Sequence, residues 1–308
     1  MNSQEAAPPG TSRNAALLCT VFFLSGASAL LFETLWFRLS GLTFGNSVWA
    51  SALVLSSFMG GLALGNGLAA HWGERIRSPV RVYAVMEIVV AVTGVLLVFL
   101  LPALTKLFAP LFRTFLDVPW ILNPLRLLLS FCLMLIPATA MGMTLPVLVK
   151  ALYGESSTFG QALGRLYGYN TLGAVAGALL GEAWLIELLG MRGTAFFAAG
   201  LNVTAAGGAV LLAGRFRIRT STSHMARPSS AGLRLPSLKG CRFLLAGFLS
   251  GGILLALEVV WFRFLLLFVA STSLAFAFML SVVLSGIGLG GLLASRLSRI
   301  RPEAQPSL

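Results

Sequence analysis

The chain has 308 residues, of which 57% are hydrophobic and only 10% charged, and its formal net charge is +12. Soluble domains carry about 25% charged residues, so at a mean hydropathy of +0.89 this chain cannot cover a water-facing surface, and a soluble enzyme or soluble binding module is excluded. The excess of cations falls in alternate loops, with no nucleic-acid-binding module or interleaved aromatics beside it, so no nucleic-acid partner is expected.

Apolar stretches of about 20 residues or more suffice to cross a hydrocarbon core. They predict an all-α integral membrane protein with about eight transmembrane helices, at 16–40, 47–71, 80–102, 125–150, 162–186, 193–214, 242–268 and 272–297. The tail 1–15 is polar. The first span is too long, and too poor in small residues at its end, for a cleaved signal peptide. Between the third and fourth spans, 103–124 alternates Phe108, Phe112, Phe115 and Trp120 with Lys106, Arg113 and Asp117 and is interrupted by Pro110 and Pro119, which predicts a short interfacial helix with an aromatic anchor. Pro137 and Pro146 predict a kink in the fourth span. In the fifth, Gly173, Gly177 and Gly181 form a GxxxG ladder for close helix packing. Tyr169 and Asn170 precede that ladder as candidate cavity-lining residues.

Spans one to six form a six-helix membrane bundle, 16–214. A basic linker, 215–240, rich in Ser, Arg, Pro and Gly, leads to a two-helix unit, 241–298, and a tail, 299–308. Arg75, Arg77, Arg81, Lys150, Arg165, the linker arginines, Arg296, Arg299 and Arg301 share one side of the bilayer in this arrangement. The positive-inside rule then places both termini in the cytoplasm of a multi-pass plasma (inner) membrane protein, with anionic lipid the natural partner of the basic loops.

Residues 23–69 recur at 248–294 without a gap, and 19 of the 47 aligned positions are identical. Glu33 pairs with Glu258, Trp36 with Trp261, Phe37 with Phe262, Arg38 with Arg263, Gly61 with Gly286 and Gly65 with Gly290. The copies lie six spans apart and enter from the same side, so the repeat is parallel, the plan of two six-span halves. The chain carries one such six-helix bundle plus the first two helices of a second.

A carboxylate deep in a membrane span is costly and is a functional hypothesis by default. Glu33 and Glu258 are therefore candidate proton- or cation-binding groups, supported by Arg38 and Arg263, with a structural polar clasp between helices 1 and 7 the competing reading. Arg38 stands about 140° around the helix from Glu33, so its expected partner is on another helix or at the interface. Glu87 is a third buried acid, for which an ion pair to the Arg75–Arg81 cluster is expected. The glycines Gly61, Gly65, Gly173, Gly177, Gly181, Gly286 and Gly290 are expected at helix contacts. Cys19, Cys132 and Cys241 have neither disulfide nor metal-ligand spacing. No catalytic motif occurs, so no catalytic residue, cofactor or metal is assigned and the chain is not expected to be an enzyme.

The segments FLSGASALLFETLWFRLSGLTFG, SSFMGGLALGNGLA, IPATAMGMTLPVL, GRLYGYNTLGAVAGALLGE and LLGMRGTAFFAAGLN, in this order, resemble the membrane portion of the spermidine synthase-like membrane proteins, in which a major facilitator-like part is fused to a spermidine synthase-like domain. The stretch GNGLAAHWGERIRSP is similar to the facilitator loop signature, with Ala70 and His71 where an acid is expected. The resemblance implies a major facilitator-like arrangement and a connection to polyamines. It does not transfer synthase activity, because the soluble aminopropyltransferase-like domain of that family has no counterpart up to Leu308. Two functions are expected to compete: a transporter-like or substrate-channelling module for a small cation, or a noncatalytic anchor for a separately encoded or lost synthase-like partner chain. Helices 7 and 8 are expected to dock on the first bundle or to pair with another chain as a homo-oligomer. Glu33 and Glu258 are expected to face each other across a pseudo-two-fold axis.

Overall fold

Each apolar stretch satisfies its own backbone by coiling, the only solution open to a lone segment in hydrocarbon. A computed structural model describes residues 9–45, 48–153, 159–214, 238–269 and 272–300. Among them the regular structure is helical throughout: α1 (Pro9–Phe44), α2 (Val48–Trp72), α3 (Pro79–Thr114), α4 (Pro119–Tyr153), α5 (Phe159–Leu180), α6 (Ile186–Ala213), α7 (Leu238–Leu265) and α8 (Thr272–Ile300). Nearly all of the basic linker and the last eight residues lie outside the described residues.

Among the described residues, seven stretches are long and apolar enough to cross a membrane, and the protein is a polytopic membrane protein. One stretch, Phe159–Ala213, is 55 residues long. At 1.5 Å per residue it would extend roughly 80 Å if straight, against a core of about 30 Å. It is interrupted twice. A wide π turn, Gly181–Leu185, joins α5 to α6, and Gly190 then leaves helical geometry at φ 66°, ψ 178°, a left-handed φ that glycine adopts without strain. Gly190 falls between the predicted spans 162–186 and 193–214.

The region 103–124 is not a separate interfacial helix. α3 continues through Pro102 and Pro110 to Thr114, and α4 starts at Pro119. Phe112 is buried and, with Phe108, packs against Phe44 at the end of α1, while the Arg126 guanidinium lies 5.6 Å from the Phe112 ring. Packing inside the bundle thus claims two of the aromatics that the sequence assigns to an anchor belt. Trp120 is exposed.

α1 is the central helix. It packs against α3, α5 and α6, and α2 packs along α4. These contacts are close because small residues permit them. A methyl group at Gly173 would overlap the Phe23 carbonyl oxygen, and one at Gly177 the Ala27 carbonyl oxygen, so α5 rests directly on the backbone of α1. On the other face of α5, Gly164 and Gly168 meet Gly291 and Leu292 of α8. α8 is thereby docked on the six-helix bundle, and α7 reaches the fold chiefly through α8. Lys150 closes one end of the molecule by donating to the carbonyls of Gly73 and, at 2.9 Å, Ile76.

Candidate functional site

Helical spacing puts Phe37 one turn beyond Glu33 and Phe262 one turn beyond Glu258. Both rings are used in the same way. Phe37 stacks on Phe276 of α8, with centroids 4.5 Å apart and planes 6° from parallel, and Phe262 meets the same Phe276 edge-on at 5.8 Å. One phenylalanine of α8 is therefore clasped by two repeat-equivalent rings. In the first copy its own equivalent position is Ser51.

Around this clasp lies a cavity of about 160 Å³ between α1, α2, α7 and α8, whose wall includes Glu258, Arg263, Ser51, Phe37, Phe262 and Phe276. A narrower pocket beside it is lined by Glu33, Trp36 and Phe58, and it shares Phe37 and Leu55 with the larger one. The two carboxylates thus stand on either side of Phe37. Glu258 is 8% exposed on a helix that is otherwise largely uncovered, so the cavity is where α7 turns its one acid inward. Two carboxylates in adjoining pockets that share Phe37 could hold a cation or exchange protons. Among the described residues, no three His, Cys, Asp or Glu side chains come together.

The other candidate residues separate from this pair. Arg38 donates to Glu182 Oε1 at 2.9 Å. Glu182 lies in the wide turn Gly181–Leu185 that follows α5. Trp36 is fully buried and donates through Nε1 to the Gly94 carbonyl of α3 at 3.2 Å. Their repeat partners Arg263 and Trp261 are exposed. Glu87 accepts a hydrogen bond from Ser25 Oγ at 2.6 Å and is 1% exposed. No ion pair to the Arg75–Arg81 cluster occurs among the described residues, because a hydroxyl of α1 already meets the carboxylate within the bundle. Ser25 lies two turns before Glu33, so Glu87 belongs to a separate polar contact.

Tyr169 and Asn170 do not line the acidic cavity. Tyr169 is exposed on α5, and the Asn170 carbonyl presses against Gly26 at the α1–α5 crossing. Gly61 and Gly65 lie against Ala138 and Thr139 of α4, and Gly181 against the Leu31 side chain. Gly286 and Gly290 face open space. Sequence reasoning passes over Phe276 and Ser51 as wall residues. The alignment of the two copies, which puts these residues at one equivalent position, is the signal that finds them. It also leaves Glu182 without a role, and no local motif reveals a partner 144 positions from Arg38.

Comparisons of the chain with protein-family models, curated proteins and solved structures find no match.

Proposed function

We propose that this protein is a transporter-like or substrate-channelling membrane module in which Glu258, in the cavity between α1, α2, α7 and α8, and Glu33, in the narrower pocket beside it, bind a small cation or exchange protons. The observation that carries the reading is the position of the two acids. They occupy equivalent places in the repeat, and the fold sets them on the two sides of Phe37. A cavity of about 160 Å³ is small beside the roughly 300–1,000 Å³ of sites for drug-sized ligands, which favours an ion or the end of a slender amine over a bulky solute. The resemblance to the membrane portion of spermidine synthase-like membrane proteins makes polyamines the first substrates to test. In the same proposal the chain crosses the plasma (inner) membrane eight times in a facilitator-like arrangement, reversing at Gly190, with both termini in the cytoplasm.

The test is flux in vesicles reconstituted with the full chain, using radiolabelled putrescine and spermidine, and separately a trapped pH-sensitive dye. Saturable flux that is lost in both Glu33→Gln and Glu258→Gln, with unchanged thermal unfolding, is the expected result. Absence of any flux with the unsubstituted protein would overturn the transport reading. A noncatalytic anchor or assembly module is the second reading, favoured by α7, of whose best membrane-crossing window only 6% is buried.

A further inference from the structure

Near the start of α3 and the end of α6 the two helices border an open groove of about 870 Å³. α3 contributes Arg81, Ala84, Val85, Ile88 and Val89, and α6 contributes residues from Val203 to Leu211 at the same i, i+3, i+4, i+7, i+8 spacing. On each helix the lining is therefore one continuous face. Ala84 and Ala206 are buried at its floor, while Val85, Ile88, Val203 and Val210 are exposed along it. A methyl at Gly207 would have nothing within 4 Å, so the groove stays open there. Arg81 is the one charged residue of the lining. It stands in the first turn of α3, is exposed, and enters no ion pair among the described residues.

We propose that this groove is a binding site for an anionic phospholipid, with the phosphate on Arg81 and one acyl chain between α3 and α6. From Arg81 to Val89 there are eight helical rises, about 12 Å, close to the roughly 15 Å of hydrocarbon in one leaflet. The cation lies at the end where α3 enters the membrane, and the apolar length runs inward from it, which is the polarity of a lipid molecule. The first turn of a helix also favours negative charge. A free phosphate would use Arg81 and leave the apolar strip bare, whereas a lipid without net charge would cover the strip and leave Arg81 without a counter-charge. The basic segment 215–240, which follows α6, contains no Asp or Glu, so it has no side-chain carboxylate to offer Arg81.

A second groove shows what is particular to this one. Between α2, α3 and α4 lies an apolar groove of about 440 Å³ whose wall includes Leu64, Met86, Ile136 and Met143 and no charged residue. Ordinary contact with acyl chains accounts for that surface, and it gives no reason for a cation at the head of the α3–α6 groove. Diffuse attraction of basic loops to anionic headgroups depends on total charge, whereas a seated lipid depends on Arg81 in particular. The groove is separate from the acidic cavity, which α1, α2, α7 and α8 enclose, so the proposal holds whether or not that cavity carries cations.

The experiment is native mass spectrometry of the full chain released from micelles holding equal amounts of phosphatidylglycerol and phosphatidylcholine with the same acyl chains. Photo-crosslinking with a phosphatidylglycerol that carries a diazirine in one acyl chain gives the location. The expected result is one retained phosphatidylglycerol, favoured at least fivefold over phosphatidylcholine, with crosslinks within 84–89 or 203–211. Retention should fall at least fivefold in Arg81→Gln, which removes the charge, and in Gly207→Phe, which fills the open floor. Both variants should keep the unsubstituted protein's melting profile in lipid-free detergent, since Arg81 has no ion pair to lose and Gly207 faces open space. Arg296 is exposed on α8, and Arg296→Gln, which removes the same charge away from the groove, should leave retention unchanged. Equal retention of the two lipids, retention indifferent to Arg81→Gln or to Gly207→Phe, an equal loss in Arg296→Gln, crosslinks confined to other helices, or a complex mass explained by a second polypeptide in place of lipid would each overturn the proposal.

Discussion

Phe37 and Phe276 form a nearly parallel stack, 4.5 Å between centroids and 6° between planes, and this stack ties the first helix to the last across the acidic cavity. Aromatic pairs contribute about 0.5–1.5 kcal/mol beyond the area they bury. A double-mutant cycle of Phe37→Leu and Phe276→Leu, read by unfolding in mixed detergent micelles, should return a coupling in that range. A coupling of zero would mean that the stack adds nothing to the hold that Phe262 and the α5 glycines have on α8.

The Arg38–Glu182 pair should show its value mainly when half of it is removed. The Glu182 side chain is 7% exposed and that of Arg38 30%, so Arg38→Gln strands a buried carboxylate, whereas the double change Arg38→Gln/Glu182→Gln leaves two neutral amides. Allowing for the partly exposed guanidinium, the single variant should lose about 1–3 kcal/mol and the double variant less. Chemical denaturation of all four forms checks the order. A double variant less stable than Arg38→Gln contradicts it.

Ser25→Ala should destabilise the bundle, because it removes a hydroxyl that donates to Glu87 Oε1 in a site that water does not reach; leaving a buried acceptor unsatisfied costs about 1–3 kcal/mol. Glu87→Gln keeps an oxygen to accept from Ser25 and should be the milder change. Thermal melts of the two variants decide the matter, and equal losses would show that the acid itself is needed.

Gly177→Val should be among the most damaging single substitutions, since the added side chain meets the Ala27 main chain and nothing flexible can yield. The expected result is loss of folded monomer in size-exclusion chromatography. A well-folded Gly177→Val protein would show that α1 and α5 can separate without cost.

Much of this was legible in the chain. Apolar runs of about 20 residues locate the helices because hydrocarbon imposes that length, and the gapless repeat locates Glu33, Glu258, Phe37 and Phe262 together. Three things were not legible, each for a physical reason. Pro110 reads as a helix breaker, but neighbouring helices let α3 run through it to Thr114. The Glu182 partner of Arg38 lies 144 positions along the chain, a separation that residue types alone do not bridge. Gly61 and Gly286 are identical residues in identical register, so only their neighbours distinguish the packed position from the open one.

The wide turn at Gly181–Leu185 acts as a phase shifter. One residue more than an α-helical turn advances everything after it by about 100°. This turns α6, which starts at Ile186, out of the register of the α5 glycines that rest on α1. A protein with a single residue deleted from this turn would keep its composition and hydropathy almost unchanged, yet all of α6 would be rotated relative to the α5 glycines. The length of those five residues therefore matters more to the fold than the identity of most of them.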